Sequence, residues 1–206
     1  MSYEDAYNAA LANFEHSDLA EIAFNSSTNF SEGNITVHFL GETFLISEKG
    51  RKIICSCSKS EAKIAEKIIL LHYLMTADGV PLARDLITLE NIKGASFYFP
   101  TYKARTTDLL IKYFKSDMNL FIDKSRRLNA NIESASDGNI PGKKAESVKA
   151  VFLALPNIPV SLVYHSGDKE FLPDIKILYD ANIEHYLPLE DIIVMTELLI
   201  HKIIKN

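Results

Sequence analysis

A chain of 206 residues with 47% apolar and 24% charged residues can bury one sizeable core and has the balance of a folded soluble protein. Its net charge of −5 argues against nucleic-acid binding, which rests on clustered Lys and Arg; Lys124, Arg126 and Arg127 read as a solvated face. No window approaches the roughly 18 uninterrupted apolar residues of a membrane span, and MSYEDAYNAALANFEH has neither the basic start nor the apolar centre of a signal peptide, so a cytoplasmic location is expected.

Ser2 and Asp5 have capping-box spacing, and Tyr7, Ala10, Leu11 and Phe14 follow at i, i+3, i+4 and i+7, predicting a helix to about His16. Ser17 and Glu21 repeat the capping pattern before a short second helix, and the polar run 25–34 reads as a loop. From Ile35 the period changes to two. Strands over 35–39, 43–46 and 51–57, with turns at Gly41-Glu42 and Lys49-Gly50, make a three-stranded meander.

Cys55 and Cys57 fall on the third strand, where i and i+2 share a face but rarely give disulfide geometry. Two thiols are also too few for a zinc or iron–sulfur site, so both read as buried structural thiols.

Ser58 and Glu61 suggest a cap for the most apolar helix, about 60–78, with Gly79 and Pro81 closing it. His72 sits inside its apolar half. Two strands, 86–92 and 95–99, are predicted around Lys93-Gly94, then helices over 106–114 and 118–128. The polar run 129–144 is the best loop or linker candidate, within a single domain spanning 1–206. Val148, Val151, Phe152 and Leu155 predict a helix that Pro156 stops. Strands follow over 160–164 and around Ile175–Leu178, and Pro188, Glu190 and Asp191 open an amphipathic terminal helix. The expected fold class is α+β: an antiparallel meander and a second small sheet packed around the 60–78 helix.

Residues 156–191 hold four of the seven prolines and two of the six histidines. The matching residues there are Pro156, Pro159, Gly167, Asp168, Glu170, Phe171, Asp180, His185, Tyr186, Leu187, Pro188, Glu190 and Asp191. With Leu71-His72-Tyr73-Leu74 and Phe39-Leu40-Gly41 upstream, they resemble the uncharacterised family called domain of unknown function 3786. Tyr164-His165-Ser166 stands where that family often has a tryptophan–glutamate pair, which weakens any role for an acidic residue there. Some relatives are fused to an iron–sulfur module of the type found in corrinoid proteins of anaerobes. The resemblance therefore implies a link to corrinoid and iron–sulfur metabolism, with any cluster carried by a partner protein.

The candidate ligand-binding residues are His72, Asp168, Glu170, Asp180, His185 and Tyr186. Histidine with carboxylates can ligate a metal, serve as an axial ligand or act as a general base. The same side chains can also have plain structural duties: Asp168 and Asp180 fixing turns, Tyr186 filling a core, Glu190 and Asp191 complementing a helix end. No glycine-rich phosphate loop, nucleophile elbow or HExxH helix occurs. Three readings follow: a cofactor- or small-molecule-binding protein, a non-catalytic interaction or scaffold protein, and an enzyme using a His–carboxylate base.

Overall fold

The computed structural model describes residues 2–47, 49–134, 147–167 and 172–206. In chain order its elements are α1 (Tyr3–Phe14), α2 (Leu19–Asn25), β1 (Asn29–Ser31), β2 (Asn34–Phe39), β3 (Glu42–Ser47), β4 (Ile53–Cys55), α3 (Ile64–Thr76), β5 (Leu86–Ile87), α4 (Phe99–Arg105), α5 (Thr107–Phe114), α6 (Met118–Arg127), β6 (Asn131–Ser134), β7 (Ser147–Leu155), β8 (Ile158–His165), β9 (Asp174–Asp180) and α7 (Leu189–Lys205). The strands form two sheets, β1-β2-β3-β4 and β5-β9-β8-β7-β6, so the fold is α+β. Among the described residues, no helix is long and apolar enough to cross a membrane.

Contacts cluster in two units. The first comprises Met1–Arg84, Leu153–Ile158 and Ala181–Met195; the second comprises Asp85–Phe152, Pro159–Asp180 and Thr196–Asn206.

In the first unit, α1 opens with the capping box read from sequence, Asp5 N donating to Ser2 Oγ and Ser2 N to Asp5 Oδ2. α2 is capped by Asp18, whose carboxylate takes the amides of Ala20 and Glu21, whereas Ser17 Oγ bonds back to Asn13 O. The carboxylate at the position next to the helix wins over the hydroxyl one residue earlier. β2 shows the expected alternation, with Ile35, Val37 and Phe39 buried. The meander gains a fourth strand, because Asn29–Ser31, inside the expected loop, pairs antiparallel with β2. The β2–β3 turn is centred on Leu40 (φ 48) and Gly41 (φ 80), one residue earlier than expected, with Phe39 opposite Glu42. Two positive φ values match the right-handed twist of a hairpin.

α3 starts later than Ser58 and Glu61 suggest. Its first turn is closed by Glu66, which accepts the Lys63 amide at 2.9 Å, while Glu61 pairs with Lys67 at 2.6 Å. Ile68, Ile69, Leu70, Leu71, Tyr73 and Leu74 are buried and the helix packs on α1, so it is a core helix as its apolar circumference requires.

In the second unit, α5 and α6 match the expected spans, but the two expected strands between 86 and 99 do not form. Only Leu86–Ile87 is a strand; Leu89–Asn91 and Ala95–Phe97 are 3-10 turns, followed by α4. The reason is local. Thr88 donates its amide and its hydroxyl to Asn91 Oδ1, both at 3.0 Å, Gly94 turns at φ 83, and Pro100 suits the first turn of α4.

The expected helix around 148–155 is the strand β7, which buries Val148, Ala150, Phe152 and Ala154 on one face. Its two alanines count towards a period of two, which the bulkier Val151 and Leu155 obscured. β6 lies in the expected loop 129–144 and pairs with β7, and the remainder, 135–144, lies outside the described residues. Phe114, Phe121 and Tyr164 form an aromatic cluster, with Phe121 and Tyr164 stacked at 5.0 Å. Tyr102 and Thr196 both hydrogen-bond the Tyr179 hydroxyl at 2.7 Å.

Candidate functional site: two reciprocal histidine–aspartate pairs

α3 carries His72 and Tyr73 in its last turns and stops where Ala77 turns extended, at ψ 118. Asp78 then accepts the Val80 amide at 3.1 Å, and Gly79 lies at φ 77. On the other side, Ile183–His185 is a single 3-10 turn, and Pro188 leads into α7, whose first turn holds Asp191.

These two segments interlock. His72 Nδ1 is hydrogen-bonded to Asp191 Oδ2, and His185 Nδ1 lies 2.6 Å from Asp78 Oδ2. Asn182 Nδ2 donates to Pro81 O at 2.9 Å, and Tyr186 Oη donates to Val80 O. The pairs 72/191, 78/185 and 81/182 step in opposite directions along the chain, as in a zipper.

The sequence basis is a repeat. His72-Tyr73-Leu74-Met75-Thr76-Ala77-Asp78 and His185-Tyr186-Leu187-Pro188-Leu189-Glu190-Asp191 are two copies of His-Tyr-Leu-x-x-x-Asp. Each histidine bonds the aspartate of the other copy. The two tyrosine rings stack between them, centroids 6.2 Å apart and planes at 27°, and Leu74 and Leu187 are buried. Tyr73 Oη also ties in distant backbone, donating to Ser26 O at 2.6 Å and accepting from Asn157 N at 3.2 Å. Burial raises the Tyr73 phenol far above its usual range, so its hydroxyl stays a protonated donor.

The pairs differ in environment. The His72 side chain is 31% exposed and Asp191 only 10%, whereas His185 and Asp78 are 44% and 47% exposed. The hydrogen bond to Asp191 raises the His72 pKa above its ordinary value, against the opposing effect of burial. The hydrogen bond from His185 holds the Asp78 carboxyl below its ordinary value. A carboxylate can only accept, so each Nδ1 carries its proton and the neutral imidazole keeps its lone pair on Nε2. Among the described residues neither Nε2 has a hydrogen-bond partner.

The sequence model of the family described as "Domain of unknown function (DUF3786)" matches residues 18–202. The chain is a DUF3786 protein. No curated protein and no solved structure matches it.

Of the six candidate residues in this DUF3786 chain, the first unit holds His72, His185 and Tyr186. Asp180 belongs to the second unit, buried at the end of β9 opposite Leu86. Asp168 and Glu170 lie outside the described residues. Asp78 and Asp191 were not among the six, although the repeated pattern would have singled them out. Cys57 departs from expectation too: it is exposed and lies beyond β4, while Cys55 is buried. No group of three or more His, Cys, Asp or Glu side chains able to hold a metal ion occurs among the described residues. The second unit contains a cavity of about 150 Å3 lined by Thr88, Glu90, Tyr102, Lys103 and Lys176 among others, and by none of the six.

Proposed function

We propose that this DUF3786 protein binds a cofactor that arrives with most of its metal coordination complete, and that the Nε2 of His185 is its protein ligand. The supporting observation is the pairing of each imidazole through Nδ1 to a carboxylate with Nε2 left unbonded. A second-shell carboxylate of that kind fixes the tautomer and orientation of a ligating histidine. A bare divalent cation would need several protein ligands and finds no such group among the described residues. A macrocycle supplies the equatorial nitrogens itself and asks the protein for one axial donor, which a single oriented imidazole provides. The corrinoid link implied by the family resemblance favours the corrin over the porphyrin. With two cysteines in the chain, an iron–sulfur cluster would be carried by a partner protein.

His185 is preferred over His72 because it is the more exposed of the two and its aspartate is equally open. Titrating the protein into hydroxocobalamin, with haemin as a second probe, should change the visible absorption of the corrinoid. His185→Ala should abolish the change. Asp78→Asn should weaken binding about 10- to 100-fold by freeing the imidazole. No spectral change with either probe, or an undiminished one in His185→Ala, rules the reading out.

The interaction or scaffold reading is favoured by a different observation, the zipper itself, because the reciprocal pairs give both repeats a structural duty. It predicts that variants at His72 and His185 lose stability and bind neither probe. In the enzymatic reading His72 Nε2 takes a proton, as a base oriented by Asp191. Among the described residues no serine or cysteine is hydrogen-bonded to that nitrogen.

A further inference from the structure

We propose that Cys55 and Cys57 form a reversible dithiol–disulfide pair that exchanges with small disulfides and thiols of the glutathione type. Two cysteines at i and i+2 of a regular strand stand about 6.6 Å apart, well beyond the ~3.8 Å between β-carbons of a disulfide. This chain avoids that outcome by ending β4 at Cys55 and turning at once. Cys55 N donates to Ser60 O, and Lys59 N donates to Cys55 O, each at 2.9 Å, with Lys59 at φ 57. Ser56 N donates to Thr43 O at 2.7 Å, which holds the middle residue against β3. The folded turn leaves the two sulfurs 2.8 Å apart, so closing the bond requires an approach of only about 0.8 Å.

The two thiols have different roles because their surroundings differ. Cys57 is exposed and is the sulfur an external reagent can reach; Cys55 is buried. Burial opposes ionisation of Cys55, but hydrogen bonds from the Cys57 thiol and from Ser58 outweigh it and bring that thiol down to about 7. The bond to Cys55 shifts Cys57 the other way, and the Glu42 carboxylate adds to the shift.

In oxidation the Cys57 thiolate attacks one sulfur of the small disulfide, whose sulfur–sulfur bond breaks as one thiolate leaves. The Cys55 thiolate then attacks the Cys57 sulfur and expels the second. The protein loses two electrons and two protons, and the small disulfide becomes two thiols. In the reverse direction an external thiolate attacks Cys57 and Cys55 departs as the better leaving group, which makes the protein disulfide easy to reduce.

The test incubates the full native chain with oxidised glutathione, then alkylates it in denaturant so that both thiols can be reached, and weighs it intact by mass spectrometry. The expected wild-type product carries no glutathione and no alkyl group, and reduced glutathione restores both alkylation sites. Cys55→Ser should stop at a single glutathione on Cys57, and Cys57→Ser should leave Cys55 free of glutathione. A wild type that stays doubly alkylated, that stops at the mixed disulfide, that links two chains together or that oxidises only when denatured overturns the proposal. The wild-type result decides the matter even where a serine variant fails to fold.

Discussion

His72 links the zipper to pH. Its folded-state pKa is raised by the hydrogen bond to Asp191, so the pair's charged form stabilises the fold fully below the unfolded value of about 6.5. That contribution is lost as pH rises through the higher folded value. Urea unfolding of the wild type should therefore show stability falling with rising pH above about 6.5, and His72→Ala should lack that component. At pH 6 the substitution leaves the largely buried Asp191 without its partner and should cost about 1–3 kcal/mol. An identical pH slope in wild type and variant would refute the assignment. The exposed pair works in the opposite direction: the depressed Asp78 carboxyl contributes above the unfolded value of about 3.9 and loses its contribution as pH falls. Histidines 72 and 185 are conspicuous in the sequence one at a time, whereas their partners are legible only when the two His-Tyr-Leu-x-x-x-Asp copies are set side by side. Asp191 also sits where any acidic residue suits a helix N-terminus, so its bond to a residue 119 positions away had no local signature.

At the scale of elements, the turns make separable demands. Gly41 lies at φ 80 with open space where a Cβ would stand, so Gly41→Ala meets only the backbone preference, about 1 kcal/mol. Gly50 lies at φ 65, and a Cβ there would come within 2.7 Å of Phe14 Cδ1 and 3.0 Å of Leu11 Cδ1. Phe14 is completely buried and cannot swing aside, so Gly50→Ala should cost about 3 kcal/mol, the backbone strain plus overpacking. Denaturant unfolding of the two variants side by side checks the ranking; equal losses would mean the Phe14 ring yields. The same contrast explains which elements could be read in advance. α1, α3, α5, α6, α7 and the hairpin of β2 and β3 have strong periods, and their type was evident. Residues 86–99 and 148–155 are short apolar runs whose outcome depends on a single side-chain bond, Thr88 to Asn91, or on two small alanines.

At the scale of the molecule, the first unit is assembled from three separated stretches of chain, and the unit boundaries fall just before β5, inside β7, after the first residue of β8, at the end of β9 and within α7. No linker composition marks them, and the polar run 129–144 has both its flanks in the second unit. The two late stretches supply the first unit with specific partners. Ala154 O accepts the Leu40 amide at 2.9 Å, Asn157 N donates to Tyr73 Oη, and residues 182–191 complete the zipper with Tyr186 stacked on Tyr73. Without them the first unit would lose the buried side chains of Leu155, Ile158, Ile183, Tyr186, Leu187 and Ile192. Burying each large side chain contributes about 1.5–3 kcal/mol, so the loss is comparable with the whole net stability of a small domain. A fragment of residues 1–84 should therefore show the narrow amide dispersion of an unfolded or molten chain in a 1H–15N correlation spectrum, where the full chain is well dispersed. A fragment that folds alone would reduce the second His-Tyr-Leu-x-x-x-Asp copy to an accessory of the unit, and the scaffold reading of the zipper would fall with it.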